Sequence, residues 1–367
     1  MTALRTLVLG GYGNFGARIT KALASDSAIK LVVGGRDGTR AEALASEIGG
    51  AQPLTVDGSD PRLAERLRDE GIGLIIHTAG PFQAQGYAVA HACARAGAHY
   101  IDLADGRRFV CDFPAALDAG FRAAGRCGIS GASTVPALSS AVVEHLARGW
   151  QAIASIDICI APAQTAPRGV ATLAGVLSYC GAPIDVWQDG RWQQADGWAR
   201  PTPVRFAHLP PRRGALCDIP DLELFPARYA VTGSVHFRAA LEVPLSQTSF
   251  ALLAWLRRRG LLRRPQALAP LLHRCAPLLD RWGSALGGMV VALRGTDAAG
   301  QPAEARWDIT ADHDHGPEIP CMAAVLLARR LARGAVPAPG ATTAAGLLPL
   351  EDFEPEFARW GMATQIT

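Results

Sequence analysis

Three glycines near the N-terminus have the spacing of a phosphate-binding turn. Residues 7–16 read Leu-Val-Leu-Gly-Gly-Tyr-Gly-Asn-Phe-Gly, a short apolar run that ends in the pattern G-x-G-x-x-G. In this pattern Gly11 allows a sharp turn, Gly13 lets a pyrophosphate approach the backbone, and Gly16 lets the next helix pack closely on the strand. The helix N-terminus then faces the phosphates with free N–H groups and a positive dipole. The residues predicted to contact a dinucleotide here are Gly11, Tyr12, Gly13, Asn14, Phe15 and Gly16. The alternative is a glycine-rich turn in an unrelated α/β protein.

The end of the second predicted strand carries the residues that would choose between NAD and NADP. Arg36 follows Gly16 by twenty positions, where the side chain that reads the adenine ribose belongs. An arginine at this place pairs with the 2′-phosphate of NADP, and Arg40 adds a second guanidinium nearby. Asp37 leaves open an NAD-type carboxylate shifted by one residue. We therefore expect NADP(H) rather than NAD(H), with Arg36 and Asp37 at the ribose and Asp57, after the third strand, near the adenine.

Four titratable side chains are candidates for proton transfer. Asp102 and Asp105 follow the fifth predicted strand, at the edge of the sheet where the nicotinamide would lie. His313 and His315 alternate with two aspartates just before a long C-terminal helix, and imidazoles titrate near neutral pH. The alternatives are loop carboxylates that cap a helix for the first pair and a solvated loop for the second. The 312–315 spacing also permits metal ligation, but it is not specific and we predict no metal site.

The elements that must position these residues alternate between strand and helix over the first 130 residues. Apolar runs predict strands at 7–9, 29–35, 54–56, 73–78, 99–103 and 127–131, with helices between them. This order is typical of a doubly wound parallel sheet, which binds ligands at the carboxyl ends of its strands. The loop after the fourth strand is therefore expected along the nicotinamide half of the cofactor. It comprises Ala79, Gly80, Pro81 and Phe82.

After residue 131 the pattern changes to scattered strands, with hairpin signals at 189–190 and 296–300. We predict helices at 170–180, 246–258, 266–282 and 317–334. The fold class is α/β: a Rossmann parallel sheet, then an α+β domain with a mostly antiparallel sheet, and a C-terminal helix. The predicted domains are residues 1–131 for dinucleotide binding, 132–316 as the α+β domain that would carry dimerisation, and 317–367 as a helical segment.

The chain resembles the saccharopine-dehydrogenase-like oxidoreductases. The resemblance lies in the glycine segment 10–16, in Ala-Gly-Pro-Phe at 79–82, in 92–103 and in 131–136. It covers roughly the first 145 residues well and the remainder loosely. It implies an NADP(H)-binding Rossmann domain, a substrate domain on a mixed sheet at 132–316, a C-terminal helical segment at 317–367 that returns to and packs on the first domain, and reversible hydride transfer. Relatives often continue the fifth strand with Asp-Leu-Ser/Thr-Gly-Glu, whereas this chain has Asp-Leu-Ala-Asp-Gly at 102–106, so the role of that glutamate does not transfer directly.

Composition narrows the function classes. A net charge of +3 gives no reason to expect a nucleic-acid partner, and eight cysteines without paired spacing indicate a reducing compartment. We expect a cytoplasmic homodimer that acts on a small molecule. The arginines at 257–259, 263 and 264 follow an apolar run that lies on a membrane surface or packs inward; we favour packing and expect no membrane contact.

The sequence thus predicts an NADP(H)-dependent oxidoreductase that transfers a hydride to or from a C=N, C=O or C=C bond. Two alternatives stay open: a non-catalytic NADP(H)-binding sensor or scaffold, and a lipid enoyl reductase at a membrane surface.

Overall fold

The computed structural model describes residues 3–367, which form two compact units. The first unit contains the described residues up to Leu138 together with Glu318–Leu348. The second contains Ser139–Pro317 and Pro349–Thr367. The predicted domain limits at 131 and 316 stay predictions.

The first half of the chain alternates strands and helices. In chain order these are β1 Leu4–Leu9, α1 Asn14–Leu23, β2 Ile29–Gly35, α2 Gly38–Ile48, β3 Gln52–Thr55, α3 Leu63–Asp69, β4 Leu74–His77, α4 Ala88–Ala96, β5 His99–Asp102, α5 Arg107–Ala123, β6 Cys127–Ser130 and α6 Ser139–Leu146.

The second half is richer in strands. Its elements are β7 Ala152–Ala161, α7 Val170–Ser178, β8 Pro183–Gln188, β9 Arg191–Asp196, β10 Thr202–Val204, β11 Arg212–Leu216, α8 Asp221–Arg228, β12 Ser234–Ala239, α9 Pro244–Arg258, α10 Ala269–Cys275, β13 Gly287–Thr296, β14 Pro302–Ala311, α11 Ile319–Ala332, β15 Gly340–Thr343, α12 Glu354–Arg359 and β16 Ala363–Ile366.

The sheet of the first unit is parallel and has seven strands in the order β15-β6-β5-β4-β1-β2-β3. Its strands β4, β5 and β6 are buried at every position, as expected when helices cover both faces. Strand order reverses between β1 and β4, so their carboxyl ends frame the crevice in which ligands bind in such sheets. The predicted Rossmann fold is confirmed, and the C-terminal segment adds a helix and a seventh strand to it.

The sheet of the second unit has nine strands, with the continuous order β10-β11-β12-β7-β13-β14-β16 and the hairpin β8–β9 attached to β12. All its described strand pairs are antiparallel except β12 with β7. The predicted mostly antiparallel sheet is confirmed.

Two helices differ from their predicted limits for physical reasons. The fifth helix begins at Arg107 rather than at residue 113, because Phe109, Phe113, Leu117 and Phe121 form one buried stripe that outweighs the interior Pro114. The predicted helix at 266–282 is broken into 265–268, α10 and 276–282. A proline starts each piece, since proline fits a first turn and not a helix interior.

None of the helices in the described part of the chain combines the length and the apolar character that a membrane span requires.

Candidate functional site

The glycine turn joins β1 to α1 as the sequence predicts, with one correction. The left-handed residue is Gly10, with φ +83°, so Gly10 rather than Gly11 makes the sharp turn. A side chain at Gly11 is excluded for another reason: its Cβ would lie 2.8 Å from the Val8 carbonyl oxygen. The N-cap of α1 is Gly13, which makes no side-chain capping bond. The first turn of α1 therefore presents its backbone with no capping side chain.

Gly16 allows α1 to lie directly on the turn. A Cβ at Gly16 would overlap the Gly10 carbonyl oxygen and would come 2.8 Å from Thr78 Oγ1. The Thr78 hydroxyl donates to the carbonyls of Leu9 (2.9 Å) and Gly10 (3.2 Å), and so fastens the end of β4 to the turn. The sequence analysis did not single out Thr78, although a hydroxyl at the end of the strand beside β1 is a recognisable signal.

The residues at the end of β2 form one corner of the site. The Tyr12 ring lies over Gly35, whose Cβ would come 2.5 Å from the Tyr12 hydroxyl oxygen. That hydroxyl accepts from Asp37 N (2.9 Å), and the Arg40 guanidinium stacks on the ring, 4.7 Å from its centroid. Asp37 Oδ1 accepts from Arg40 N (3.1 Å) and caps α2. This capping bond gives Asp37 a structural role, and its predicted place at the ribose stays a prediction.

Arg36 and Asp57 lie beside this corner, and both are exposed. Hydrogen bonds from the Ser59 backbone and hydroxyl lower the pKa of Asp57, and the charge of Arg36 adds to the shift. Asp57 is therefore an anion held near a cation at the ends of β2 and β3. Arg36 and Arg40 present two guanidinium groups at the place where the adenine ribose binds in this fold.

The 79–82 loop leaves β4 and is anchored at one end by a buried ring. Phe82 packs against His77 and Phe109, with ring centroids 5.1 and 5.2 Å away, whereas Ala79 and Gly80 are exposed and Pro81 is half-buried. Gln85 Nε2 donates to the carbonyls of Ala79 (2.6 Å) and Pro81 (3.1 Å). Ala79 and Gly80 are thus the exposed part of the loop, while Gln85 holds the carbonyls on either side of Gly80 and Phe82 anchors the end of the loop.

Asp102 is a fully buried residue that ties strand ends together. Its Oδ1 accepts from Ala104 N (2.9 Å), Ser130 Oγ (3.0 Å) and Gly131 N (2.8 Å). Burial raises the pKa of Asp102 to about 6, and these three hydrogen bonds oppose the shift. The carboxyl group therefore fixes the loops that follow β5 and β6.

Asp105 lies three residues after Asp102 and is half-buried. It contacts Gln83, the residue that directly follows the 79–82 loop. Gln83 Nε2 donates to Asp105 Oδ1 at 2.9 Å. Burial raises the pKa of Asp105, while the Gln83 hydrogen bond opposes the shift. A raised pKa keeps a carboxyl group protonated to higher pH, which suits a proton donor. Gln83 was not identified from the sequence, because only the folded loop brings it to Asp105.

A buried aromatic cluster joins β4, β5 and α5. The Tyr100 hydroxyl lies 3.0 Å from His77 Nδ1, and the Tyr100 ring stacks on Phe113 at 5.7 Å. Burial lowers the pKa of His77 to about 4, so this imidazole is neutral at physiological pH. His77 and Tyr100 are packing residues of the site.

The 312–315 loop belongs to the second unit, so Asp102 and Asp105 do not share a unit with His313 and His315. His313 has a left-handed backbone (φ +53°) and a side chain that is 82% exposed. His315 is held by Trp360, whose carbonyl oxygen lies 3.2 Å from Nδ1 and whose ring lies 4.9 Å away. Among the residues the structure describes, no three His, Cys, Asp or Glu side chains gather as metal ligands would.

The residues of the first unit fit a phosphorylated dinucleotide. An uncapped helix N-terminus follows a cradle that side chains at positions 11 and 16 would fill, and both features suit a pyrophosphate. The two exposed guanidinium groups at 36 and 40 suit a further phosphate.

Comparison with known proteins also indicates a dinucleotide-binding domain. Residues 6–129 match the family model described as the saccharopine dehydrogenase NADP binding domain. No curated protein matches the sequence. Among solved structures, the chain is similar to apo saccharopine dehydrogenase (L-Glu forming) from Saccharomyces cerevisiae, with 13% identity and a TM-score of 0.69, over 100% of this chain and 99% of that one. It is also similar to DAP dehydrogenase from C. glutamicum, with 15% identity and a TM-score of 0.49, over 97% and 99% of the two chains. At 13% identity, the likeness to the yeast saccharopine dehydrogenase shows the fold.

The fold and the glycine turn define the class, an NAD(P)-dependent oxidoreductase. Within that class, residues 6–129 are similar to the saccharopine dehydrogenase NADP binding domain. The resemblance inferred from the sequence is confirmed, and so is NADP(H) as the cofactor class.

Proposed function

We propose that this protein transfers a hydride between NADP(H) and a C=N, C=O or C=C bond of a small substrate, with Asp105 as the proton donor or acceptor. The observation that carries the proposal is the placement of Asp105. It is half-buried, it is hydrogen-bonded to Gln83 of the loop after β4, and it follows β5 at the carboxyl edge of the sheet. In this fold the nicotinamide half of the cofactor extends along that edge.

The bound cofactor would supply the hydride, and the protein would supply binding, orientation and one proton. In this proposal the turn at 10–16 and the α1 N-terminus bind the pyrophosphate. Arg36 and Arg40 pair with the 2′-phosphate, and Tyr12 supports them. The loop from Ala79 to Phe82 orients the nicotinamide, while Asp102 fixes the loops on which Asp105 depends.

The same proposal includes a homodimeric state and a cytoplasmic location. The eight cysteines support the location, because all are free thiols and only Cys275 is exposed. Unpaired thiols are typical of a reducing compartment.

The test is turnover of NADPH with three substrate classes: 2-oxo acids mixed with ammonia or amino acids, free ketones, and enoyl compounds. We expect one class to oxidise NADPH. Asp105→Asn should lower kcat by roughly 10²–10⁴-fold without changing the Kd of NADPH, because it removes the proton and keeps the bond from Gln83. The pH profile of reduction should lose the limb that the raised Asp105 pKa produces.

Asp112→Asn is the matched control, since Asp112 forms an exposed ion pair with Arg108 on α5, and such pairs contribute little. It should retain wild-type kcat. If NADPH binds but none of the three classes oxidises it, the non-catalytic sensor replaces this proposal. If Asp105→Asn turns over normally, the proton comes from another group.

A further inference from the structure

The helices between residues 244 and 282 leave an unusual amount of apolar side chain in water. The exposed large apolar side chains are Leu245, Leu252, Trp255, Leu261, Leu271, Leu278 and Trp282, and we call this set the leucine–tryptophan face. Leu261 and Leu278 are 70% and 69% exposed. Isolated exposed leucines are ordinary, whereas a concentration of large apolar side chains in adjoining helices marks an interaction surface.

Helix α9 shows why this surface is not simply an unfilled core. Its inner side is already packed: Phe250 and Ala254 are buried, and the Phe250 ring lies 4.5 Å from the Trp198 ring. Leu252 and Trp255 lie on the opposite side of the helix. The sequence analysis expected the apolar residues of this segment to pack inward. The structure shows this for the inner side of α9 and corrects it for the side that carries Leu252 and Trp255.

The pieces that carry the face adjoin one another. Arg257 Nη1 donates to the carbonyls of Ser178 (2.7 Å) and Cys180 (3.1 Å), which ties the end of α9 to the end of α7. Helix α7 in turn packs against the 265–268 turn and α10, and α10 packs against the 276–282 turn. The leucine–tryptophan face is therefore carried by one connected group of helices.

The same segment is strongly basic. Residues 252–282 contain seven arginines and one acidic residue, Asp280, whose carboxylate accepts from Gln164 Nε2 at 3.0 Å. Within this segment, five exposed arginines form no ion pair with a carboxylate of the described residues: Arg259, Arg263, Arg264, Arg274 and Arg281. Arg259 and Arg281 lie over the rings of Trp255 and Trp282, at 5.5 and 4.1 Å from the centroids.

We propose that the leucine–tryptophan face and its arginines bind the surface of an anionic lipid bilayer. Tryptophan and arginine are favoured where acyl chains meet headgroups, because each has an apolar body and a polar end. Leucines supply buried apolar area, and the arginines are attracted by anionic headgroups. A second copy of the chain fits less well, since a two-fold contact through this face would bring arginines against arginines.

The test is co-sedimentation of the full chain with vesicles of phosphatidylcholine alone or with about 30% phosphatidylserine. We expect about tenfold more protein in the pellet with the anionic vesicles, and loss of that excess at about 0.5 M salt, where charges are screened. Trp255→Ser combined with Trp282→Ser should abolish binding through lost apolar contact, and Arg263→Glu combined with Arg264→Glu should abolish it through repulsion.

Matched controls lie elsewhere on the surface. Trp192→Ser removes another exposed tryptophan, and Arg95→Glu with Arg191→Glu makes the same charge change at exposed arginines. Both controls should bind as wild type, and all variants should keep wild-type NADPH affinity.

The proposal is overturned if vesicles of both compositions bind equally or not at all. It is also overturned if the face variants bind vesicles as well as the controls do. A wild type that does not bind vesicles, with face variants that dissociate a dimer in sedimentation velocity, would overturn it too. Capture by nucleic acid or by an acidic protein without vesicle binding would overturn it as well.

Discussion

Two aspartates three residues apart, Asp102 and Asp105, have different environments and therefore different roles in our account. Asp102 is enclosed and takes three hydrogen bonds at one oxygen, whereas Asp105 is half-buried and takes one from Gln83. The sequence predicts both as candidates for proton transfer because both lie at the carboxyl end of β5. It does not separate them, because the separation depends on Ser130, Gly131 and Gln83, which only the fold brings to these carboxyl groups.

A third aspartate allows a stability prediction. Asp221 is fully buried in the second unit and accepts from Ser139 Oγ at 2.5 Å; burial raises its pKa to about 7. The folded state therefore holds this proton up to about pH 7, while the unfolded chain releases it near pH 4. The contribution to stability is full below about pH 4 and is lost as the pH rises through about 7.

Asp221→Asn keeps a hydrogen-bond acceptor for Ser139 and cannot ionise. Between about pH 4 and pH 8 the wild type should lose roughly 2–4 kcal/mol more free energy of unfolding than the variant. Urea unfolding at the two pH values measures this difference. Asp189→Asn, at an exposed turn, controls for the loss of a carboxylate. Equal pH dependence in wild type and Asp221→Asn would show that this carboxyl group is not the source.

At the scale of elements, the strand–turn–helix unit was predictable from sequence because glycines must occupy its close contacts. The break in the helix at 265–282 was harder to predict. The apolar spacing favours one continuous helix, whereas three prolines divide it into three pieces. The short β15, Gly-Ala-Thr-Thr, has no pattern that indicates a strand; its place beside β6 comes from tertiary pairing.

We expect Gly16→Ala to damage the turn even though alanine favours helices. The added methyl would overlap the Gly10 carbonyl and press on Thr78, so α1 must move off β1. The free energy of unfolding should fall by roughly 1–3 kcal/mol, and NADPH affinity should fall with it. Gly86→Ala is the control, because its Cβ would meet nothing within 4 Å. Thermal unfolding and NADPH titration of both variants measure the effect, and wild-type behaviour of Gly16→Ala would contradict the close contact.

At the scale of the whole molecule, the first unit is built from two separate parts of the chain. Helix α11 packs on α1, the Cys321 thiol points to the Phe15 carbonyl oxygen at 3.7 Å, and Arg18 pairs with Glu318 at 2.9 Å. The apolar pattern of this segment predicted a helix, whereas its return to the first unit was implied by the family resemblance. The loose resemblance over the C-terminal two-thirds left the order of the second sheet unpredicted.

A chain ending at residue 317 should therefore fail to fold. It would expose the edge of β6, all four residues of which are buried, and would uncover the apolar side of α1. Soluble yield and a thermal melt followed by circular dichroism measure this. A chain ending at residue 362 lacks only the exposed edge strand β16 and is the matched control. A cooperative melt from the shorter chain would contradict the two-part unit.

The central claim is that the glycine turn and Arg36 bind NADP(H) in preference to NAD(H). The most direct measurement is the ratio of the Kd values for NADPH and NADH in wild type, Arg36→Ala and the control Arg95→Ala, which removes an exposed arginine from α4. We predict a preference for NADPH of about tenfold or more, consistent with a charge-assisted contact to the 2′-phosphate. That preference should be lost in Arg36→Ala and kept in Arg95→Ala. Equal affinity for the two nucleotides in wild type, or no binding of either at micromolar concentration, would contradict the account.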